Sequence, residues 1–150
     1  MSREAPPERI PDHGYCFGCG ESNPSGLGMI YFRHADGSIS ARFTPRDAQQ
    51  GAPGISHGGA VFTVLDEAMG KAVWVAGHRC LTSEVRIQFL RPARLGEELE
   101  LRARVDEEDT AGTVHASAEA RRPDGKVVAT TQGGFRTPRN PIESVQSDKR

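Results

Sequence analysis

His57-Gly58-Gly59, followed by Asp66, is the part of this chain whose residue types and spacing suit chemistry. It lies in residues 56–76, SHGGAVFTVLDEAMGKAVWVA, which predict one helix capped by Ser56. The first N–H groups of a helix have no partner within it, and the macrodipole adds partial positive charge there. Glycine at positions 58 and 59 lets a ligand approach those amides closely. Asp66 follows Gly59 by two turns, about 10 Å along the axis. An amide donor for a developing oxyanion and a carboxylate serving as base or nucleophile suit acyl transfer. The separation is wide for a single carbonyl, and a second helix across a dimer axis would shorten it. The residues alone are equally consistent with a plainer reading, in which the glycines ease packing and Asp66 is a half-solvated polar position.

Positioning these groups falls to the helix and to whatever covers it. Between residues 60 and 76 only Thr63, Asp66, Glu67, Gly70 and Lys71 are not plainly apolar. At about 100° per residue they span an arc of roughly 140°, so other structure must wrap the remaining surface. Glu67 and Lys71 are spaced as an i,i+4 ion pair. Residues 27–33 and 38–43 read as strands flanking the turn Ala35-Asp36-Gly37. Beyond a stop at Gly77-His78, the sets Val85/Ile87/Phe89, Leu99/Leu101/Ala103/Val105 and Val114/Ala116/Ala118/Ala120 alternate with polar residues. The turn Pro123-Asp124-Gly125 leads into a last strand over 126–136. Period-two patterns of this kind predict an antiparallel sheet with one buried face. The expected class is therefore α+β, a long sheet curved around one helix. Ala118 and Ala120 leave space on that sheet, and Gly133-Gly134 predict a bulge or a close approach of another chain or ligand. The loop 44–55 delivers the chain to the helix, and Gln49 and Gln50 on it are candidates to line a site.

The chain has 150 residues, enough for one domain with a real core. Residues 1–14 are expected as a mobile tail or loosely docked arm, 15–137 as the folded domain, and 138–150 as a disordered tail. A formal net charge of −1 gives no electrostatic case for nucleic acid or an anionic membrane. No apolar run reaches the roughly 20 residues a bilayer span needs. Residues 1–11 are polar and proline-containing, unlike a signal peptide, and the three cysteines point to reduced thiols in the cytoplasm. Cys16 and Cys19 with His13 offer three zinc ligands, one short of a structural site, while Cys80 is remote in sequence. The expectation is a loop holding small buried thiols, with no metal and no cofactor.

The residues His57-Gly58-Gly59 with Leu65-Asp66-Glu67-Ala68 resemble the signature of hotdog-fold acyl-CoA thioesterases, in the phenylacetate-degradation (PaaI)-type branch. The opening Tyr15-Cys16-Phe17-Gly18-Cys19-Gly20 through Asn23-Pro24-Ser25-Gly26-Leu27-Gly28 resembles a subgroup of the same family. The similarity runs from about Cys16 to Phe135. It implies a hotdog fold, a homodimer or dimer of dimers, an acyl-CoA substrate and sites at the subunit interface. It also implies Asp66 as nucleophile or base, a helix N-terminal amide at Gly59 as oxyanion donor, His57 shaping the site, and Thr82 orienting water. Gly58, Ser83, Gln50 and Arg91 are expected to bind substrate, with Arg79, Arg91 and Arg94 available to coenzyme A phosphates. Several members of the branch carry Asn six residues before the His, where this chain has Gly51. A non-catalytic hotdog module that binds acyl-CoA or acyl groups is the alternative. Retention of Asp66 speaks for the enzyme, because a carboxylate on a mostly apolar helix costs stability unless it has a use.

Overall fold

The computed structural model describes residues 4–139. Seven strands form one sheet: β1 (Glu8–Arg9), β2 (Tyr31–Arg33), β3 (Ile39–Phe43), β4 (Leu81–Phe89), β5 (Leu99–Glu108), β6 (Val114–Arg121) and β7 (Val127–Arg136). Among the described residues a single long helix, α1 (Gly58–Val75), and a short 3-10 turn, Asp47–Gln49, complete the elements. All pairings are antiparallel, in the order β1-β2-β3-β5-β6-β7-β4. The α+β architecture read from the period-two patterns is the one observed.

The helix lies against the sheet's inner face. Val61, Val64, Leu65, Ala68, Met69 and Ala72 are buried against Leu99, Leu101, Val114, Ala116 and Phe135. Removing that much apolar surface from water is what holds the two layers together. Ala116, Ala118 and Ala120 put small side chains under α1, so the helix sits close to the sheet. Gly133 serves the same end, because a Cβ there would lie 3.2 Å from Met69 Cε and 3.0 Å from Phe135 Cε2. The neighbours that crowd Gly133 are thus this chain's own side chains, and β7 pairs regularly at Gly133-Gly134. Register shifts occur in the β5–β6, β6–β7 and β4–β7 pairings, and the one in β4–β7 falls on β4, where Ser83 is the extra residue between Thr82↔Phe135 and Glu84↔Gly134.

The segment expected as a tail is docked over part of its length. Glu8 and Arg9 pair with Arg33 and Phe32, and Ile10 is buried. The expected tail over 138–150 lies almost wholly outside the described residues. The edge at β4 is different in character. This nine-residue strand is exposed along most of its length, with Leu81 51% and Phe89 53% accessible. No helix of the described residues is long and apolar enough to cross a membrane.

Candidate active site

Helix α1 begins at Gly58, and its cap is His57 rather than Ser56. The His57 ring turns back and accepts from the Gly59 amide at Nδ1, 2.9 Å away. An imidazole nitrogen thus does the work expected of the serine hydroxyl. The Ser56 hydroxyl instead donates to the His57 carbonyl, and its own amide is held by Ala93 O at 2.7 Å. The consequence bears on the donor assignment. Gly59, expected to polarise a carbonyl, already spends its N–H on His57. The amides of Ala60 and Val61 go to the His57 carbonyl at 3.0 and 3.4 Å. Among the described residues no acceptor takes the Gly58 N–H, so Gly58 is the unspent donor at the positive end of the helix.

Beside Gly58 is a recess of about 330 Å³ lined by Val61, Phe89, Arg91, Pro92 and Val128. A Cβ on Gly58 would stand 3.2 Å from Phe89 Cζ, so glycine leaves room for that ring. Arg91 borders the recess and donates to Val127 O at 2.7 Å, which fixes the guanidinium at its rim. Gln50, expected to touch substrate, uses its side-chain oxygen to accept from the Gly54 amide and closes the 50–54 turn. Arg79 lies over the Trp74 ring at 5.0 Å, committing its guanidinium to a cation–π contact. The absence of Asn at position 51 has a steric cause. A Cβ on Gly51 would come within 2.9 Å of the His57 Cα, so the loop packs backbone to backbone against the helix cap.

Asp66 sits further along α1, half-buried, and its Oδ1 accepts from the Thr82 hydroxyl at 2.9 Å. The bulge at Ser83 makes this contact possible. Along a regular strand Thr82 would face opposite to Val85 and Ile87, which pack on the core. One extra residue reverses the alternation and turns Thr82 toward the helix. Burial is the main influence on Asp66 and pushes its pKa above the ordinary aspartate value. The Thr82 hydrogen bond opposes this, and the neighbouring Glu67 charge adds to it.

Glu67 faces elsewhere. Its carboxylate reaches Lys71 Nζ at 3.7 Å, as their spacing predicts, and meets the thiol of Cys16 at 3.5 and 3.7 Å. Lys71 is only 3% exposed, so this pair is buried under the arm that carries the two cysteines. The structure therefore splits two adjacent acids, Asp66 to the β4 side and Glu67 to the arm.

Residues 53–129 match the Thioesterase superfamily, half of the chain including α1, β4, β5 and β6. The chain belongs to that superfamily. A mouse (Mus musculus) protein, acyl-coenzyme A thioesterase THEM5, is 31% identical over 61 residues, covering 41% of this chain and 25% of its own length. The crystal structure of a thioesterase superfamily protein superposes with a TM-score of 0.77 at 26% identity, covering 81% of this chain and 60% of the other. The E. coli PaaI protein from the phenylacetic acid degradation operon gives 0.67 at 25% identity, covering 73% and 79%. The superfamily's hotdog fold and PaaI type agree with the motif His57-Gly58-Gly59 and its spaced acid. The chain spans a quarter of the curated mouse relative it matches.

Proposed function

We propose that this thioesterase-superfamily chain hydrolyses an acyl-CoA thioester to the free acid and coenzyme A. The observation that carries the reading is the half-buried Asp66 carboxylate, held by Thr82 from a bulged strand, on the same helix as the unspent Gly58 amide. The thioester carbonyl oxygen accepts from Gly58 N–H, which stabilises the charge that develops there as the carbonyl carbon becomes tetrahedral. Asp66 supplies the other half. As a base it takes a proton from the attacking water; as a nucleophile it forms a mixed anhydride that water then opens. In either route the C–S bond breaks, coenzyme A leaves as its thiolate and is protonated by solvent. His57, by holding Gly59, fixes the first turn so that the Gly58 amide points outward. Arg91, at the rim of the recess beside Gly58, is placed for a phosphate of coenzyme A.

Two features support a homodimer with shared sites. The residues lining the recess beside Gly58 do not include Asp66 or Thr82. The exposed edge strand β4, with Leu81 and Phe89 uncovered, offers unpaired backbone and apolar surface to a second copy. Release of free thiol from a panel of short, long and aromatic acyl-CoAs tests the activity. Turnover of at least one class, abolished by Asp66→Asn, is the expected result. Binding without thiol release across the panel would instead identify a non-catalytic acyl-CoA binder.

A further inference from the structure

The cluster that the proposed hydrolysis leaves unused is Cys16, Cys19 and Glu67. Their sulfur and carboxylate oxygen atoms all lie within 4.8 Å of one another. Cys19 and Gly18 are buried and Cys16 is half-buried, so these groups sit under the surface. The sequence offers His13 as the third ligand beside the two cysteines; the fold instead sets Glu67, from α1, next to both thiols.

From these residues we propose a divalent-metal site, for zinc or a metal of similar size and softness. The geometry is the first argument. Zinc holds sulfur at about 2.3 Å and carboxylate oxygen at about 2.1 Å, and a tetrahedral angle between them separates the two donors by about 3.6 Å. Cys16 Sγ stands 3.5 and 3.7 Å from the two Glu67 oxygens. Those separations need no rearrangement of the acid.

The loop is also built to hold that shape before any ion arrives. Gly20 N–H donates to Cys16 O at 2.8 Å, Met29 N–H to Gly18 O at 2.9 Å and Leu27 N–H to Phe17 O at 2.8 Å. A Cβ at Gly20 would come within 2.4 Å of both Cys16 N and Gly14 O, so only glycine permits the turn. A Cβ at Gly18 would lie 3.1 Å from Glu67 Cδ, so glycine there lets the loop lie on the acid. Gly20 thus shapes the turn and Gly18 seats it on Glu67.

Charge is the third argument. Two thiolates offset the charge of a divalent cation, so the Glu67–Lys71 ion pair beside them stays balanced. Lys71, 3.7 Å from Glu67 Oε1, remains as the outer partner that orients the ligating carboxylate. Three protein ligands leave a fourth position for water. The ion ties the docked arm to the helix that carries Asp66.

Cobalt is the probe, because thiolate ligation gives it a charge-transfer band in the near ultraviolet. The full chain, reduced and stripped with a chelator, is titrated with Co²⁺ and then with Zn²⁺. The expected result is a band that saturates at one cobalt per chain and is abolished by zinc. Cys16→Ser removes the band, Cys80→Ser leaves it intact, and Glu67→Gln binds at least about tenfold more weakly with an unchanged circular dichroism spectrum. A folded wild type with three titratable thiols and no saturable band overturns the proposal. So does Glu67→Gln with wild-type affinity, which would leave the ion on the thiols alone.

Discussion

Asp66 lives in an environment that penalises its charge, and this has two opposite consequences. In the proposed hydrolysis the ionised form is the useful one, as base or as nucleophile. The acid limb of kcat/KM is therefore expected above the ordinary aspartate value of about 3.9, because burial raises the pKa. Thr82→Val removes the hydrogen bond that favours the carboxylate and should move that limb to higher pH, with Thr82→Ser restoring it. An unchanged limb in the valine variant would mean the contact is not made in the working enzyme. For stability the sign reverses. A carboxyl whose pKa is raised by folding favours the fold below its unfolded pKa and loses that advantage as pH climbs through the folded one. Asp66→Asn, which keeps the acceptor for Thr82, should then be at least as resistant to urea as wild type at neutral pH. The two should converge in acid. Turnover in the same variant should drop by at least about 100-fold. A less stable Asn variant at neutral pH would contradict the burial penalty.

At the scale of the helix, the amide donor is the feature to test. Gly58 is the first helical residue, where proline costs least and removes only an N–H that has no partner inside the helix. His57 already has φ −57° and ψ 135°, which a following proline accepts. The Phe89 ring, 3.2 Å from the new Cβ and 53% exposed, can swing aside, so Gly58→Pro should stay folded while losing about 100- to 1,000-fold in kcat, as for loss of an oxyanion donor. Full activity in a folded variant would return the role to another group. This element also shows what the residues could tell. The apolar pattern over 56–76 located α1, observed as Gly58–Val75, because periodicity reports burial directly. It could not say that a histidine ring would cap the helix and consume Gly59, since that depends on a side-chain rotation. Nor could alternation reveal the bulge at Ser83, one residue that changes which face Thr82 occupies. Glu67 next to Cys16 was hidden for a different reason. The contact joins positions 51 residues apart, which only the completed fold brings together.

For the whole molecule, the proposed hydrolysis turns on whether one chain or two supply the halves of a site. Gly58 and Asp66 lie eight residues apart on one straight helix, about 12 Å along its axis. A carbonyl held at one N-terminus is better reached by an acid from another subunit, and a two-fold axis generates two such sites at once. Edge strand β4 carries Thr82 and is exposed, so a partner docking along it would lie beside Asp66. The consequence can be read by complementation. Gly58→Pro and Asp66→Asn chains, each nearly inactive alone, are unfolded together and refolded as a mixture. Random pairing makes about half of the dimers mixed, and each mixed dimer keeps one intact site of two, so activity should recover toward about a quarter of wild type. The mixed species is isolated by differential tags, and its thiol release is compared with that of both parents. Inactive mixed dimers with folded parents would show that amide and acid act within one chain, and the shared site would fall.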